Sequence, residues 1–485
     1  MSLRKWILLS VVFAMLAGCN NQWSSGDRVL VSKVAYDAGI TEPRRYDVVV
    51  FKYPRGPVDH NTPKNYIKRL LGLPGELLAI FFGRVYRWAP QPGDPPPFND
   101  LKADGSNANE LFEHTFTHPN DDRSKKWFET GDDTNDGKER GFEILRKPPH
   151  VMLAMRRVVY DNDYQARDLK GKLDRWTPNS KSAWKNDAAT GFVNDGKSGD
   201  KIDWLRYQHL LRPEGAFAGG IEVKPSLITD VMDYNSFQPR MSNDAPHWVG
   251  DLMVECTLDV DEPTGQFSLE LSRGVFRYQA RWDLATGKCK LVSLVKGKDG
   301  KMQETELDVA ATRVKSPGSY QLRFANIDAR LTVWVDRELP FGDGQPYAPP
   351  DIRGPHEKNN VWSDEIEARR GPTKNDLEPA SIGSKGASVK ISHVRIWRDT
   401  FYTTSESGPD YRVPDREFLT DPARWDVIRK SRFTTMYVQP KHYLCLGDNS
   451  QASADSRNWG LVPERLMLGR ALVVYFPLER MGAIR

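Results

Sequence analysis

Short apolar runs separated by turn residues make up the chain from Ser25 to about residue 90. They are rich in β-branched and aromatic residues, and glycine or proline stands between several of them. The runs are 29–31, 47–51, 66–71, 77–80 and 85–86. Runs of the same kind occur again at 436–438, 443–446 and 469–476. Such segments are typical of small antiparallel sheets, so we predict strands near both ends of the chain.

A second strand-rich region lies between about residues 206 and 403. Several of its segments alternate apolar and polar residues, as a half-buried strand requires. The segments are 251–256, 267–271, 278–282, 290–294, 320–324, 331–335 and 394–397. Many short strands with turns between them predict a β-sandwich. The stretches 320–339 and 389–402 resemble the concanavalin and laminin-G-like jelly rolls, and we therefore expect a mainly β protein.

The region between these two patterns is harder to interpret. Residues 90–98 are rich in proline, and the following stretch is polar with clusters of Asp, Asn, Gly and Lys. A part around 145–164 is compatible with helix. The sequence assigns no fold to residues 91–205.

The N-terminus has the features of an export signal. Arg4 and Lys5 precede an apolar stretch at 6–17, which is shorter than the roughly 20 residues that a membrane-spanning helix needs. The stretch ends in Leu16-Ala17-Gly18-Cys19, the pattern of a bacterial lipobox, in which the cysteine becomes the diacylated N-terminus. We predict a lipoprotein whose Cys19 lipid holds it to a membrane on the periplasmic or cell-envelope side. A cleaved secretory peptide or a short membrane anchor is the alternative.

Composition limits the number of domains, the possible ligands and the possible disulfide and metal sites. A chain of 485 residues exceeds one hydrophobic core, and a net charge of +4 is too weak to indicate nucleic-acid binding. Cys256 and Cys289 lie in one strand-rich region and could pair in an oxidising compartment, which leaves Cys445. No cysteine and histidine grouping has zinc-ligand spacing, so we expect no metal and no cofactor.

Three blocks, in this order along the chain, resemble the conserved boxes of type I signal peptidases. The first is Pro43-Arg44-Arg45-Tyr46-Asp47-Val48-Val49-Val50-Phe51, in which Tyr46 replaces a family glycine. The second is the run from Tyr66 to Glu76, and the third is the run from Gly447 to Pro463. The resemblance covers roughly 24–90 and 430–485, so it implies one β domain that is split by a long insert.

The resemblance also implies a serine/lysine dyad, in which a neutral lysine takes the proton of the attacking serine. Lys68 matches the general base, and the apolar residues around it favour a lowered lysine pKa. Ser453 matches the serine that orients this lysine. Asp455 and Arg457 match an ion pair that braces the loop, and Asp448 has a structural role beside them.

The nucleophile box departs from the family pattern. Its last two residues match Gly26-Asp27, but counting back eight places from Gly26 reaches Gly18 where the family has serine. The family's methionine and proline are Cys19 and Asn21, and Leu16 stands where a hydroxyl residue helps to form the oxyanion hole. The lipobox therefore occupies the position of the nucleophile box. Ser24 or Ser25 is a candidate displaced nucleophile. Cys19 is another candidate if it is not acylated. The simpler interpretation is that the two serines are polar loop residues that follow a lipid anchor.

These observations divide the chain into five parts. They are a lipoprotein signal peptide at 1–19, a signal-peptidase-like part at 24–90, an unassigned polar insertion at 91–205, a β-sandwich at 206–403 and a second signal-peptidase-like part at 430–485. One hypothesis is a membrane-associated serine endopeptidase of the signal peptidase I type, acting on an extended peptide or preprotein. The other is a catalytically dead relative whose β-sandwich binds glycan or an envelope protein. Trp282, Trp334 or Trp397 could contact a sugar if exposed, but core packing is the stronger expectation for each of them.

Overall fold

A computed structural model of the chain provides the structure. It describes residues 27–33, 36, 41–54, 64–88, 143–165, 174–179, 181–187, 191–197, 199–210, 224–231, 247–297, 299–347, 371–405, 410–411, 416–431 and 433–484. Gly18, Cys19, Ser24 and Ser25 lie outside the described residues, as does most of the polar stretch before residue 143. In the described part of the chain, no helix has the length and apolar character needed to cross a bilayer.

Twenty-six strands and three short α-helices are described, in chain order. The first strands are β1 (Arg28–Ser32), β2 (Val48–Lys52), β3 (Asn65–Gly72), β4 (Leu77–Phe81), β5 (Arg84–Trp88) and β6 (Glu143–Ile144). There follow α1 (Pro149–Met155), β7 (Arg157–Asp161), β8 (Trp176–Pro178), β9 (Trp184–Asp187), β10 (Gly191–Asp195) and β11 (Asp203–Tyr207). The middle strands are β12 (Leu252–Val260), β13 (Gln266–Arg273), β14 (Phe276–Asp283), β15 (Lys288–Lys296), β16 (Met302–Ala311), β17 (Gly318–Ile327), β18 (Arg330–Val335), β19 (Gln345–Pro346), β20 (Ala380–Lys385) and β21 (Ser388–Arg398). The last elements are α2 (Asp426–Arg429), β22 (Phe433–Tyr437), β23 (His442–Leu446), α3 (Ser456–Trp459), β24 (Val462–Pro463), β25 (Met467–Phe476) and β26 (Gly482–Ala483).

The two ends of the chain build one antiparallel sheet, the terminal sheet. Its strand order is β1-β25-β2-β3-β23-β24, and β26 pairs with β25. Because β25 lies between β1 and β2, neither end can complete the sheet alone. A small sheet of order β22-β4-β5-β6 also combines both ends. The predicted strands are present at both ends, and the split β domain is confirmed.

The insert forms a sandwich of two antiparallel sheets. The first insert sheet has the order β19-β18-β17-β12-β21-β10-β9, with β7 on β21, and the second has the order β16-β15-β14-β13-β20-β11-β8. Apolar side chains from both sheets, such as Phe324 from β17 and Phe267 from β13, share one buried core. Every predicted segment between 251 and 397 lies in a strand.

The stretch 143–207, to which the sequence assigned no fold, is part of this architecture. Strands β7 to β11 pair with β20 and β21 of the sandwich or with one another. The helix-compatible part at 145–164 contains the short helix α1, strand β7 and a 3₁₀ turn at Asn162–Tyr164. The sandwich therefore begins well before residue 206.

The cysteine and tryptophan candidates are buried. Cys256 lies in β12 and Cys289 in β15, so they belong to different insert sheets, and both are free thiols. The pairing that the sequence allowed therefore does not form. Trp282 and Trp334 are 0% and 3% exposed and belong to the hydrophobic core. Trp397 is half-buried under the guanidinium of Arg156 at 4.4 Å. Trp282 and Trp334 therefore pack in the core, which was the stronger expectation for them, and are not available as sugar contacts.

Candidate active site

Lys68 projects from strand β3 into a partly buried setting. The β2–β3 register places it opposite Val49, whose side chain is fully buried. The Nζ atom lies 5.9 Å from the ring centre of Tyr66 and 6.0 Å from that of Trp459. The two rings pack against each other at 4.7 Å. Aromatic rings at this range attract an ammonium but exclude much of the water around it.

Ser453 is the hydrogen-bond partner of this lysine. Lys68 Nζ donates to Ser453 Oγ over 2.8 Å, although the two residues are 385 positions apart. The serine is 6% exposed. Among the described residues, no other hydroxyl is bonded to Lys68 Nζ. The structure therefore brings together the two residues that the sequence matched to the base and to its orienting serine.

Gly447 allows this close approach. A Cβ atom at this position would lie 1.9 Å from Ser453 Oγ and 3.3 Å from Lys68 Nζ. The bare backbone of the glycine therefore forms one wall of the pair, which is a common reason for glycine beside a reactive group. The peptide N–H of Gly447 donates to Asp455 Oδ2 over 2.9 Å and fixes this wall.

Burial lowers the pKa of Lys68 below its ordinary value of 10.5, because the charged ammonium loses hydration. The Asp455 and Asp448 carboxylates oppose this shift, and the Arg457 guanidinium reinforces it. Desolvation is the largest of these effects. A larger fraction of neutral amine near neutral pH is the property that a lysine general base requires.

Asp455 and Arg457 brace the site loop, which we define as residues 447–457. Their ion pair is 2.7 Å long, and both side chains are almost completely buried. Asp455 also caps helix α3 by accepting the Arg457 backbone N–H. Arg457 Nη1 continues to Thr403 Oγ1 at 2.6 Å and to Ser450 Oγ at 2.6 Å. The loop is therefore fixed on both sides of Ser453.

Asp448 has a partner that the sequence analysis missed. Arg69, the neighbour of Lys68, donates to both carboxylate oxygens of Asp448 at 2.9 and 2.7 Å. The same guanidinium donates to the carbonyl of Tyr46 at 2.9 Å. Tyr46 has φ of 70°, a conformation that favours glycine, which is the residue at this place in the resembled box. In the sequence, the signal that could have indicated this ion pair was the basic residue Arg69 directly after Lys68.

A cluster of three buried carboxylates lies at the junction with the insert. Oxygen atoms of Asp251, Asp328 and Asp399 come within 4.8 Å of one another, close enough for a metal ion. Lys147 Nζ instead bonds Asp328 at 2.7 Å and Asp399 at 2.8 Å. Asp251 pairs with Arg84 at 2.6 Å, and Arg273 adds a second guanidinium. Three side-chain cations thus compensate the three carboxylates, so the donor set fits a salt-bridge network better than a divalent metal site.

Comparison with known proteins agrees with this geometry. The family model described as "Signal peptidase, peptidase S26" matches residues 7–95 and 382–476. Both ends of the chain carry the signal peptidase signature. The match falls on both halves of the split domain, so the resemblance to type I signal peptidases is confirmed.

Curated relatives support the same family. A protein named "Probable signal peptidase I-2" from Synechocystis is 47% identical over 103 residues, which are 21% of this chain and 39% of the relative. "Signal peptidase I" from Leptolyngbya laminosa is 43% identical over 47 residues, which are 10% of this chain and 23% of the relative. The chain thus spans less than half the length of either signal peptidase.

A solved structure is also similar to part of the chain. The carbohydrate binding module CBM66 from Bacillus subtilis is 11% identical, and the alignment covers 46% of this chain and 96% of the module with a TM-score of 0.27. A TM-score of 0.27 is too low to indicate a shared fold. The resemblance of the insert to concanavalin and laminin-G-like domains stays a prediction.

Proposed function

We propose that this chain is a membrane-associated lipoprotein of the signal peptidase type whose serine endopeptidase activity is impaired or lost. The observation that carries the proposal is the 2.8 Å bond between Lys68 Nζ and Ser453 Oγ in a setting that lowers the lysine pKa. The base and its orienting serine are kept. Gly18 stands where the family has its nucleophile.

Loss of the nucleophile lowers the expected cleavage rate more than the retained Lys68 and Ser453 can compensate. Glycine has no group that can attack a carbonyl, and removal of a catalytic nucleophile usually lowers the rate by orders of magnitude. Leu16 also lacks the hydroxyl that the family uses near its oxyanion hole, and one missing donor costs about 10²–10³ in rate. Ser24 or Ser25 would need a shift of several positions to act instead. The residual substrate of such a site would be an extended preprotein segment with small side chains before the cut.

Membrane association is supported by apolar side chains at one edge of the terminal sheet. Leu30, Leu472, Leu478 and Met481 are 39–60% exposed. β1 and β26 both pair with the C-terminal part of β25, so Leu30 and Leu472 lie in neighbouring strands, and Leu478 and Met481 lie in the segment between β25 and β26. An exposed apolar edge of this kind would lie against lipid, next to a Cys19 lipid anchor.

The proposal predicts the outcome of a preprotein cleavage assay. The purified chain and its Lys68→Ala variant should cleave a preprotein equally poorly, because the missing nucleophile already limits the wild-type rate. Cleavage is measured by gel electrophoresis and mass spectrometry over hours at mildly alkaline pH. Cleavage that depends on Lys68 would contradict the claim of impaired activity, and its loss in Ser24→Ala or Ser25→Ala would identify the displaced nucleophile.

A glycan-binding role of the insert is a second candidate, and a polar row on the second insert sheet favours it. On the side away from the shared core, Arg206, Ser381, Glu270 and Gln279 follow one another across neighbouring strands. Arg206 is half-buried, and the other three side chains are 0–3% exposed. Glu270 accepts from Arg206 at 3.2 Å, from Ser381 at 3.1 Å and from Gln279 at 2.5 Å.

A half-buried aromatic ring lies beside this row. Trp204 stands opposite Gly383, and the guanidinium of Arg206 lies 5.6 Å from its ring centre. Ser381, Glu270 and Gln279 are buried, so a sugar could contact only Trp204 and Arg206 of this set. An aromatic face beside a guanidinium suits a sugar, which has apolar C–H faces and a rim of hydroxyl groups. This surface differs from the three tryptophans that the sequence suggested.

Trp204→Ala is expected to weaken glycan binding at least about tenfold if this row is the site, since one aromatic contact contributes about 1.4 kcal/mol or more. The measurement is a glycan array followed by titration of the best glycan. Tyr164→Ala is the matched control, because Tyr164 is an 82% exposed aromatic elsewhere on the insert. Equal binding by both variants would exclude the row, and no binding by the wild type would exclude the role.

A further inference from the structure

The insert contacts the site loop directly, two residues from Ser453. Gln451 Nε2 donates to Asp230 Oδ2 over 2.5 Å, across 221 positions of sequence. Asp230 belongs to the segment 224–231, which lies in the sequence between β11 and β12 of the sandwich. A residue of the insert therefore holds the loop that carries the lysine's hydrogen-bond partner.

His247 fixes Asp230 in turn. The carboxylate accepts the His247 backbone N–H at 2.7 Å and faces the ring Nδ1 at 2.9 Å. His247 Nε2 lies 3.0 Å from the backbone nitrogen of Asp410 and accepts its hydrogen, which places the ring proton on Nδ1 toward Asp230. The imidazole also stacks on Phe401 at 4.9 Å. Asp230 and His247 are 5% and 2% exposed, so this pair is rigidly packed.

A second contact comes from the segment that leaves the insert. Thr403 donates its backbone N–H to Ser450 Oγ at 3.0 Å and accepts from Arg457 through its hydroxyl. The Tyr402 hydroxyl reaches Asp448 Oδ1 at 3.4 Å. The insert and its outgoing segment therefore contact the site loop at Asp448, Ser450, Gln451 and Arg457, on both sides of Ser453.

From these contacts we infer that the insert positions the site loop, with Asp230 and Gln451 as positioning residues for the Lys68–Ser453 pair. The inference rests on the proposed function, in which Lys68 is the retained base. Its physical basis is that Ser453, Asp455 and Arg457, which bond Lys68 or shift its pKa, all belong to the loop that the insert holds. Binding or strain in the insert would then change the environment of Lys68 without any direct contact to it.

Asp230→Asn tests this coupling with little change of volume. The substitution replaces one acceptor oxygen by a donor NH₂, so Gln451 or His247 must face a donor and the loop loosens. Water then reaches Lys68 and its pKa rises, because desolvation is what lowers it. We expect a rise of about 0.5 or more in the pKa of Lys68. The readout is NMR titration of lysine labelled with ¹⁵N at the side chain, with Lys68→Ala used to assign the signal.

Asp203→Asn is the matched control. Asp203 is another buried carboxylate of the insert, and it accepts hydrogen bonds from Ser182, Ala183 and Asn194, which all belong to the insert. The substitution should lower stability in the same way as Asp230→Asn but leave the pKa of Lys68 unchanged. Gln451→Leu removes the same link from the loop side and serves if Asp230→Asn does not fold.

The outcomes separate the two claims. A folded Asp230→Asn or Gln451→Leu protein whose Lys68 titrates as in Asp203→Asn would overturn the coupling. A wild-type Lys68 that titrates near its ordinary value of 10.5 would instead remove the part of the proposed function in which Lys68 is a retained base. Neither readout needs peptide cleavage, so an inactive protein can be tested.

Discussion

Lys147→Met is expected to lower the free energy of unfolding by about 3–5 kcal/mol, the usual cost of leaving a buried charge without its partner. Lys147 is 6% exposed and bonds both Asp328 and Asp399, which are 0% and 3% exposed. Methionine fills a similar volume but cannot donate a hydrogen bond. Two carboxylates would then remain buried with one fewer cation to compensate them.

The pH dependence of this loss has a definite sign. Burial is the main cause that raises the pKa of Asp399, to about 7, and the Lys147 ammonium opposes this rise. A carboxyl group with a raised folded pKa takes up its proton more readily in the folded state, so its stabilisation is full below about pH 4 and is lost as the pH rises toward about 7. Without Lys147 the carboxyl can still be neutralised by protonation at low pH. The loss should therefore be larger at about pH 8 than at about pH 5.

Urea unfolding followed by tryptophan fluorescence at both pH values measures this effect. Lys290→Met is the matched control, because Lys290 bonds Glu306 at 2.9 Å on the surface, where both side chains are about half exposed. A pair of that kind contributes at most about 1 kcal/mol. Equal losses in the two variants would show that the buried cluster does not hold the structure together.

The position of the cluster makes this prediction relevant to the site. Arg84 comes from β5 of the small sheet, and Lys147 comes from the segment between β6 and α1. Asp251, Asp328 and Asp399 lie at ends of insert strands, before β12, between β17 and β18, and after β21. The network therefore joins the insert to the small sheet, close to the segment that contacts the site loop through Thr403.

Much of the fold was predictable because it depends on local pattern. Alternation and β-branched runs located the strands at both ends and those between 251 and 397. The pair of Lys68 and Ser453, separated by 385 positions, was predictable only because both residues lie in motifs that resemble one family. Strands 157–207 were missed because polar residues interrupt their short apolar runs.

Contacts between distant residues were not predictable in the same way. Gln451 stands between Ser450 and Ala452, and Asp230 between Thr229 and Val231, and nothing in these short stretches indicates that the two residues meet. The same holds for Lys147 and its two carboxylates, since a buried ion pair looks like a surface charge in a single sequence. Tyr46 was visible as a replacement for glycine, but its positive φ follows from the tertiary hydrogen bonds around Arg69.

Restoring the nucleophile box is expected to produce a large gain of activity. The changes are Leu16→Ser, Gly18→Ser, Cys19→Met and Asn21→Pro, and they bring the serine, methionine and proline of the resembled pattern back in register. Loss of Cys19 also prevents lipoprotein processing between positions 18 and 19. If Lys68 and Ser453 form a competent base, the hydroxyl introduced by Gly18→Ser should restore at least about 10²-fold in rate, since a missing nucleophile costs more than that.

The rate of preprotein cleavage by the restored chain, compared with that of the same chain carrying Lys68→Ala, tests whether the base half of the site is intact. We expect cleavage at least about 10²-fold above that of the wild type, and its loss on Lys68→Ala. Circular dichroism establishes that both variants are folded. A folded, restored chain that cleaves no faster than its Lys68→Ala variant would contradict the claim that the base half of the site is intact and that only the nucleophile box is missing.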